Sequence, residues 1–475
     1  MTAAAFAHFA AFGVTPELVQ AALHEALRHG GEFADVFVQH RVNTTLALED
    51  GEVNRAYTSV DAGLGVRVVR GDQQGYGYTE DFSPDAVRRA ARTAAAIAEG
   101  PPRAGPAALS VDPLPNRYPT LRPWEDVAAL DRLPVLRQLN AAVLAADPRI
   151  VKCSVTFRDE SSAVLVVDSA GRVAFDRQPM TVLGVSCVAE QGGRRESNGA
   201  NVAGRAGFEF YTPERLAKVA KEAVERTVIL FDAAQPPAGE MPVVLGAGSS
   251  GILLHEAIGH GLEADFNRKN VSIYADKVGT AIALPLVTIV DDATLPGTRG
   301  AINVDDEGNA AGRTVLVDRG TLVGYLHDGI SARHYHVAPT GNGRRESFRH
   351  LPMPRMRATY MEAGPHDPAE IIASVARGIY CQTFANGEVQ IGAGDFTFFV
   401  KNGWLIEDGK LTRPIKDVNL IGNGPRVLEQ VDMVGTDLAI DEGGWTCGKD
   451  GQSVPVSQGM PTVRVRGMTV GGRAA

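Results

Sequence analysis

Two histidines and a glutamate stand close together in Leu253-Leu254-His255-Glu256-Ala257-Ile258-Gly259-His260-Gly261-Leu262, an otherwise apolar run of mostly small residues. Neutral imidazole is the commonest protein metal ligand. A glutamate directly after the first histidine is the general base of the zinc peptidases that carry H-E-x-x-H. Here the spacing is H-E-x-x-x-H, one residue longer. On a regular helix, residue i+5 lies about 140° away from residue i, at roughly 100° per residue. An undistorted helix therefore cannot aim His255 and His260 at one ion. Two backbone routes bring them together: a single wide π-type turn, or a helix that ends near Gly259 so that His260 reaches back from irregular backbone. Gly259 and Gly261 permit either. The competing reading, two unrelated helix histidines, leaves polar groups without partners in apolar surroundings, which is costly.

A catalytic zinc takes three protein ligands and keeps one position open. Downstream candidates for the third are Glu263, Asp265, His327, His334, His336, His350, His366, Cys381 and Cys447. His334-Tyr335-His336 would place two imidazoles on one face of a strand. Cys447 lies in Asp441-Glu442-Gly443-Gly444-Trp445-Thr446-Cys447-Gly448-Lys449-Asp450-Gly451. Its flanking glycines allow backbone to approach a site closely, and Lys449 could favour the thiolate. The alternative for Cys447 is a buried free thiol.

The elements that must position these residues follow from composition and periodicity. A chain of 475 residues exceeds a single core and implies two or three domains. Hydrophobic content of 44% and charged content of 22% are those of a globular protein. A net charge of -9 argues against a nucleic-acid binder. No basic run suggests an anionic membrane, and no apolar run reaches spanning length. The first basic residue is Arg28, so a secretory leader is not expected. Four scattered cysteines are not a disulfide framework.

Helical spacing covers Pro16–His29, Pro84–Glu99, Asp126–Ala146 and Thr212–Leu230. Strand patterns cover Phe33–Leu48, Val60–Val69, Gly75–Tyr78 and Ile150–Glu190, with turns at Glu49–Glu52 and Gly171–Arg172. Gly63 and Gly65 lack the following helix of a nucleotide loop and read as strand glycines. The proline-rich residues 101–123 read as an ordered loop. Phe231–Met241 has linker composition, which places a boundary between residues 1–235 and 236–475. The second half opens with a strand and a Gly-rich turn into the histidine helix. It continues with strands at Leu286–Val290, Arg313–Val317, Leu322–Leu326, Val389–Ile391, Phe396–Val400, Trp404–Glu407 and Pro461–Val465, and one short helix at Pro368–Ala376. The fold class is α+β: an N-terminal mixed α/β domain with antiparallel strands, and a C-terminal β-rich domain that carries the irregular helix.

Three segments in order, 255–265 (HEAIGHGLEAD), 341–356 (GNGRRESFRHLPMPRM) and 444–455 (GWTCGKDGQSVP), resemble the TldD subunit of the TldD/PmbA (TldE) family. The likeness runs through the whole chain, although Gly443–Thr446 is particular to it. The resemblance implies a cytoplasmic zinc metallopeptidase that works with a sister subunit lacking the metal motif. It assigns His255, His260 and Cys447 as zinc ligands and Glu256 as the catalytic glutamate. The expected reaction is attack of a metal-activated water, deprotonated by Glu256, on the carbonyl of an unfolded or short peptide. Arg344, Arg345 and His350 are candidates for binding substrate or its developing oxyanion; the alternative is a solvated turn held by Glu346. Two other functions compete: a non-catalytic scaffold with structural zinc, and a metal hydrolase acting on small amides. The N-terminal half would supply chamber walls and the contact to a sister subunit, or to a second copy of the chain.

Overall fold

A computed structural model describes residues 2–471. The period-2 patterns of the first half become long antiparallel strands. Phe33–Glu49, Glu52–Arg70, Ile150–Asp168 and Arg172–Gln191 have 17 to 20 residues each, roughly 60 Å at about 3.3 Å per residue. In the sheet, Gln73–Thr79 leads to Glu52–Arg70, Phe33–Glu49, Ile150–Asp168, Arg172–Gln191 and Arg194–Gly204. The expected turn after Glu49 has Asp50 at φ 50° and Gly51 at φ 85°, as a two-residue hairpin loop requires. Glu52–Arg70 is longer than the Val60–Val69 pattern because the eight residues before Val60 are all exposed and carry no apolar alternation.

Alternation along Phe33–Glu49 divides the sheet into two faces. Val36, Val38, Leu46 and Leu48 pack under helices: Pro16–Ala26 and Pro84–Ala95 at one end, Ala129–Ala146 and Pro213–Val228 at the other. Phe37 points the opposite way, into a cluster with Val164 and Val166 of the same sheet and Val304 and Phe348 of the second half. Gly63 and Gly65 make this docking possible. A Cβ on either would collide with the Phe348 ring or the Tyr76 hydroxyl. Ion pairs fasten the same contact: Arg67 to Glu307 at 2.6 Å and Arg345 to Asp35 at 3.4 Å, all four side chains buried.

In the second half, Gly239–Leu245, Val463–Gly471, Val418–Asn423, Asp395–Glu407 and Arg377–Val389 pair in that order. Arg377–Val389 then returns to pair with Gly239–Leu245, closing a ring. A six-stranded sheet centred on Ile289–Asp292 and Ala358–Met361 lies beside it. The short helix Pro368–Ala373 and the Glu407–Lys410 hairpin fall where expected. Two other expectations fail. The Leu322–Leu326 strand is only Thr321–Leu322. His334 and Tyr335 end a helix, Gly329–Tyr335, whose N-cap is Asp328. His336 is its left-handed cap at φ 56°, so the two imidazoles share no strand face.

Candidate metal centre

The chain enters the site from the strand Gly239–Leu245 through a small-residue turn. Leu253, Leu254, Ala257, Ile258 and Leu262 are then buried in the core between the ring and the six-stranded sheet. The helix here changes pitch repeatedly: 3-10 at Ser249–Gly251, α at Ile252–Leu254, π at His255–Gly259 and 3-10 at His260–Leu262. The His260 amide donates to the carbonyl of His255, five residues back. This wide turn cancels the off-face angle, and the two imidazole centroids lie 5.0 Å apart at 84°. Gly259 is required at this point, because a Cβ there would strike the Met356 sulfur.

The third donor comes from 187 residues further on. Cys447 lies on the hairpin Thr446–Lys449/Gln452–Pro455, with Sγ 3.4 Å from His260 Nε2. The donor atoms of His255, His260 and Cys447 all fall within 4.8 Å of one another, and all three residues are buried. His255 Nδ1 is buried with no hydrogen-bond partner among the described residues, an orphaned nitrogen of the kind a metal ion would partner. Burial opposes ionisation of the thiol, but His255 and His260 outweigh it and bring Cys447 down to about 4. Two nitrogens and a thiolate are a donor set suited to zinc.

Glu256 stands beside this trio, half-buried, with no hydrogen bond from the described residues. Burial raises its pKa; the two histidines counteract that only in part. A carboxylate shifted towards neutrality is better matched to taking a proton.

Further residues hold the donors in place, and the spacing argument missed their roles. Glu263, a candidate ligand by sequence, instead accepts from His260 Nδ1 at 3.0 Å. It is fully buried and paired with Lys449 at 3.0 Å. Lys449 also meets Asp265 at 2.7 Å, so its charge goes to these carboxylates. Burial would raise Glu263, yet Lys449 and His260 bring it down to about 2. Arg355, fully buried, donates to the Cys447 carbonyl at 2.5 Å and the Gln452 carbonyl at 3.3 Å. Asn342 bonds the Arg355 carbonyl at 2.8 Å. The segment 341–356 thus clamps the cysteine hairpin, which is the physical content of that motif.

The remaining candidates are placed differently. Residues 341–345 are buried, so the segment is no solvated turn. Arg344 donates to the Met356 and Pro455 carbonyls at 2.6 and 2.7 Å. Arg345 is taken up by Asp35 and the Asp306 carbonyl and lies over the Phe37 ring. Both border a cleft of about 380 Å³ between the sheet face that carries Phe37 and the cysteine hairpin. His350 is absent from that border; its ring meets the Ser347 hydroxyl at 3.0 Å. His327 is buried away from the trio and pushed down to about 4 by burial. Cys153, Cys187 and Cys381 are free and buried in cores.

Sequence models of the PmbA/TldA metallopeptidase match the chain three times: domain 1 over residues 34–98, the central domain over 122–231 and the C-terminal domain over 238–472. The chain belongs to the PmbA/TldD metallopeptidase family. It is 39% identical over 448 residues to the metalloprotease TldD homolog of Haemophilus influenzae, covering 93% of each chain. A metalloprotease of Methanothermobacter thermautotrophicus is 31% identical, with 93% of this chain and 96% of that one covered. Among solved structures, a putative modulator of a DNA gyrase from Thermotoga maritima superposes with a TM-score of 0.78 at 18% identity, covering 98% of this chain and all of that one. TldE from Thermococcus kodakarensis gives 0.73 at 18% identity, covering 96% and 99%. These two likenesses concern the fold. As a member of this metallopeptidase family, the protein is a peptidase that uses a metal. No helix among the described residues is long and apolar enough to cross a membrane.

Proposed function

We propose that the protein is a zinc-dependent peptidase acting on unfolded or short peptides, with His255, His260 and Cys447 as ligands and Glu256 as general base. The observation that supports this most is the convergence of three buried donors within 4.8 Å beside an unpartnered carboxylate. A 25% identical relative from Saccharolobus solfataricus is named a zinc metalloprotease TldD homolog. Zinc held by these donors supplies Lewis acidity, which acidifies water and polarises a carbonyl. Glu256, its pKa raised by burial, takes the proton of the attacking water at its carboxylate and returns it to the leaving amine. The Glu263 carboxylate fixes the His260 ring by holding Nδ1, which leaves Nε2 on the side of Cys447. Arg355 fixes the backbone that carries the thiolate.

The test is metal content and peptide hydrolysis of Glu256→Gln beside wild type. Glu256→Gln is expected to keep its zinc and lose hydrolysis. Loss of the metal would remove Glu256 from the role of base, and retained hydrolysis would remove the mechanism. A purely structural zinc is less well supported, since such sites usually close with four ligands and Glu256 would then have no task.

The cytoplasm is the compartment this reading implies. We further propose that residues 1–235 and 236–475 divide the labour, the second carrying the chemistry and the first the walls of a chamber shared with a TldE-like sister subunit. The fold shared with TldE supports this pairing by analogy. Adding such a subunit to the purified chain should raise peptide hydrolysis. Full activity of the chain alone would favour a homodimer.

A further inference from the structure

The cleft between the two halves begins one residue from Cys447. Thr446 and Val454 line it, and Val454 is the cross-strand partner of Cys447. Across the cleft, the sheet contributes Arg158, which is exposed and has no carboxylate partner among the described residues.

Three further arginines in the wall, Arg205, Arg299 and Arg344, are only 4%, 8% and 4% exposed. None lies within ion-pairing distance of a carboxylate among the described residues. Their hydrogen bonds go to neutral acceptors. Arg205 donates to the Arg299 carbonyl at 3.2 Å and to Gln178 at 3.4 Å. Arg299 donates to the Trp445 carbonyl at 3.0 Å and to the Thr446 hydroxyl at 3.2 Å. Arg344 holds the Met356 and Pro455 carbonyls. Three other buried arginines meet carboxylates, Arg67 to Asp35 at 2.5 Å, Arg132 to Asp159 at 2.6 Å and Arg357 to Asp291 at 2.7 Å, whereas buried Arg355 is spent on the Cys447 and Gln452 carbonyls and does not line the cleft.

Buried charge without a counter-charge is costly. The acids on the cleft wall do not cancel it. Asp159 is taken by Arg132. Glu346 is half-buried and accepts from the Ser453 amide, and Glu160 is half-buried. Asp306 is also half-buried, its carboxylate held by the Arg345 amide at 2.8 Å, and its charge offsets the burial of Arg344 only in part. Three guanidiniums are more deeply buried than any of these free acids. Burial, together with Arg205, pushes Arg299 down to about 10 and Arg344 down to about 9; an anion in the cleft would relieve both.

We propose that this cleft binds a carboxylate of the peptide substrate through Arg205, Arg299 and Arg344, beside the site of cleavage. The proposal rests on the peptidase reading. Guanidinium suits this task because its planar fork matches a carboxylate in a bidentate pair. The carboxylate comes from a free C-terminus or from an Asp or Glu side chain.

The test is calorimetric binding by the full, metal-loaded chain of three N-acetylated alanine pentapeptides: a C-terminal amide, the free acid, and the amide with one central glutamate. Cleavage is followed in the same samples by mass spectrometry. A failure of the peptidase reading then shows as intact peptide, independently of binding. One of the two acidic probes should bind about tenfold or more tightly than the neutral amide, the effect of one charge-assisted hydrogen bond. Preference for the free acid identifies the C-terminus as the source, and preference for the glutamate probe identifies the side chain. Arg299→Gln and Arg344→Gln should abolish the preference. Because buried arginines can be needed for folding, Thr446→Glu is the second variant. Thr446 is exposed in the cleft and already meets Arg299, so the new carboxylate occupies the guanidiniums and should also abolish the preference. Equal affinity of all three probes in wild type overturns the proposal. So does an acid preference that survives in folded Thr446→Glu.

Discussion

Replacing Glu263 with glutamine keeps the shape of a fully buried side chain and removes its charge. In the wild type, Glu263 accepts from His260 Nδ1 at 3.0 Å and faces Lys449 at 3.0 Å. Glutamine still accepts the imidazole N–H but makes the ring a weaker donor to a metal. Loss of a partner of this kind lowers metal affinity by about 10- to 100-fold, or roughly 1.4 to 2.7 kcal/mol. The metal-free fold suffers separately. Lys449 keeps Asp265 at 2.7 Å, so the loss should resemble that of a charge-assisted hydrogen bond, about 1.5–3 kcal/mol. It should stay below the about 3–5 kcal/mol of a fully orphaned buried charge. Burial alone would raise Glu263, but Lys449 and His260 hold it at about 2 against an ordinary 4.5. Its contribution to stability is therefore complete above the ordinary value and is lost as pH falls towards about 2. Zinc affinity is read by titration against a competing chelator, and stability by denaturant unfolding in excess chelator. Zinc affinity within about twofold of wild type, where a ring-orienting partner predicts tenfold or more, would show that Glu263 does not orient His260.

Cys447→Ser should lose most of its zinc, because a hydroxyl is not ionised at neutral pH while the thiol at about 4 is; full zinc content by elemental analysis would move the third ligand elsewhere. In metal-free protein, thiolate ultraviolet absorbance should persist on acidification and fade only near about pH 4, since the folded value is depressed; fading near the ordinary thiol range would contradict the histidine contacts. Gly259→Ala should destabilise the fold by about 1–3 kcal/mol, the usual cost of overpacking, and weaken zinc binding, because the new methyl meets the Met356 sulfur; an unchanged Tm and zinc affinity would refute the tight packing of the π-turn. Arg357→Met should cost about 3–5 kcal/mol in denaturant unfolding, by leaving buried Asp291 without its 2.7 Å partner; a loss below about 1 kcal/mol would mean that water reaches the Asp291 carboxylate.

An irregular backbone between His255 and His260 was legible in the sequence because its cause is local; that it is a π-turn and not a helix end near Gly259 was decided by the fold. Five-residue spacing, about 100° per residue and two glycines leave the backbone few ways to bring His255 and His260 together. The helices that cover the long sheet were legible for a similar reason, since their caps and periodicity lie within a few residues. Thr212 and Ser83, for example, accept from the amides of Arg215 and Ala86. The first eight residues of Glu52–Arg70 were not, because a strand exposed on both faces has no hydrophobic alternation to read. Tertiary structure alone decided what surrounds the donors. Cys447 reaches His260 across 187 residues, and Arg355 reaches Cys447 across 92. Lys449 could be placed near a thiol by sequence, but only packing shows that buried Glu263 and Asp265 claim its charge. The same holds for the arginine-lined cleft. Whether an arginine is paired depends on which carboxylate the fold brings within reach, and spacing along a chain carries no record of that.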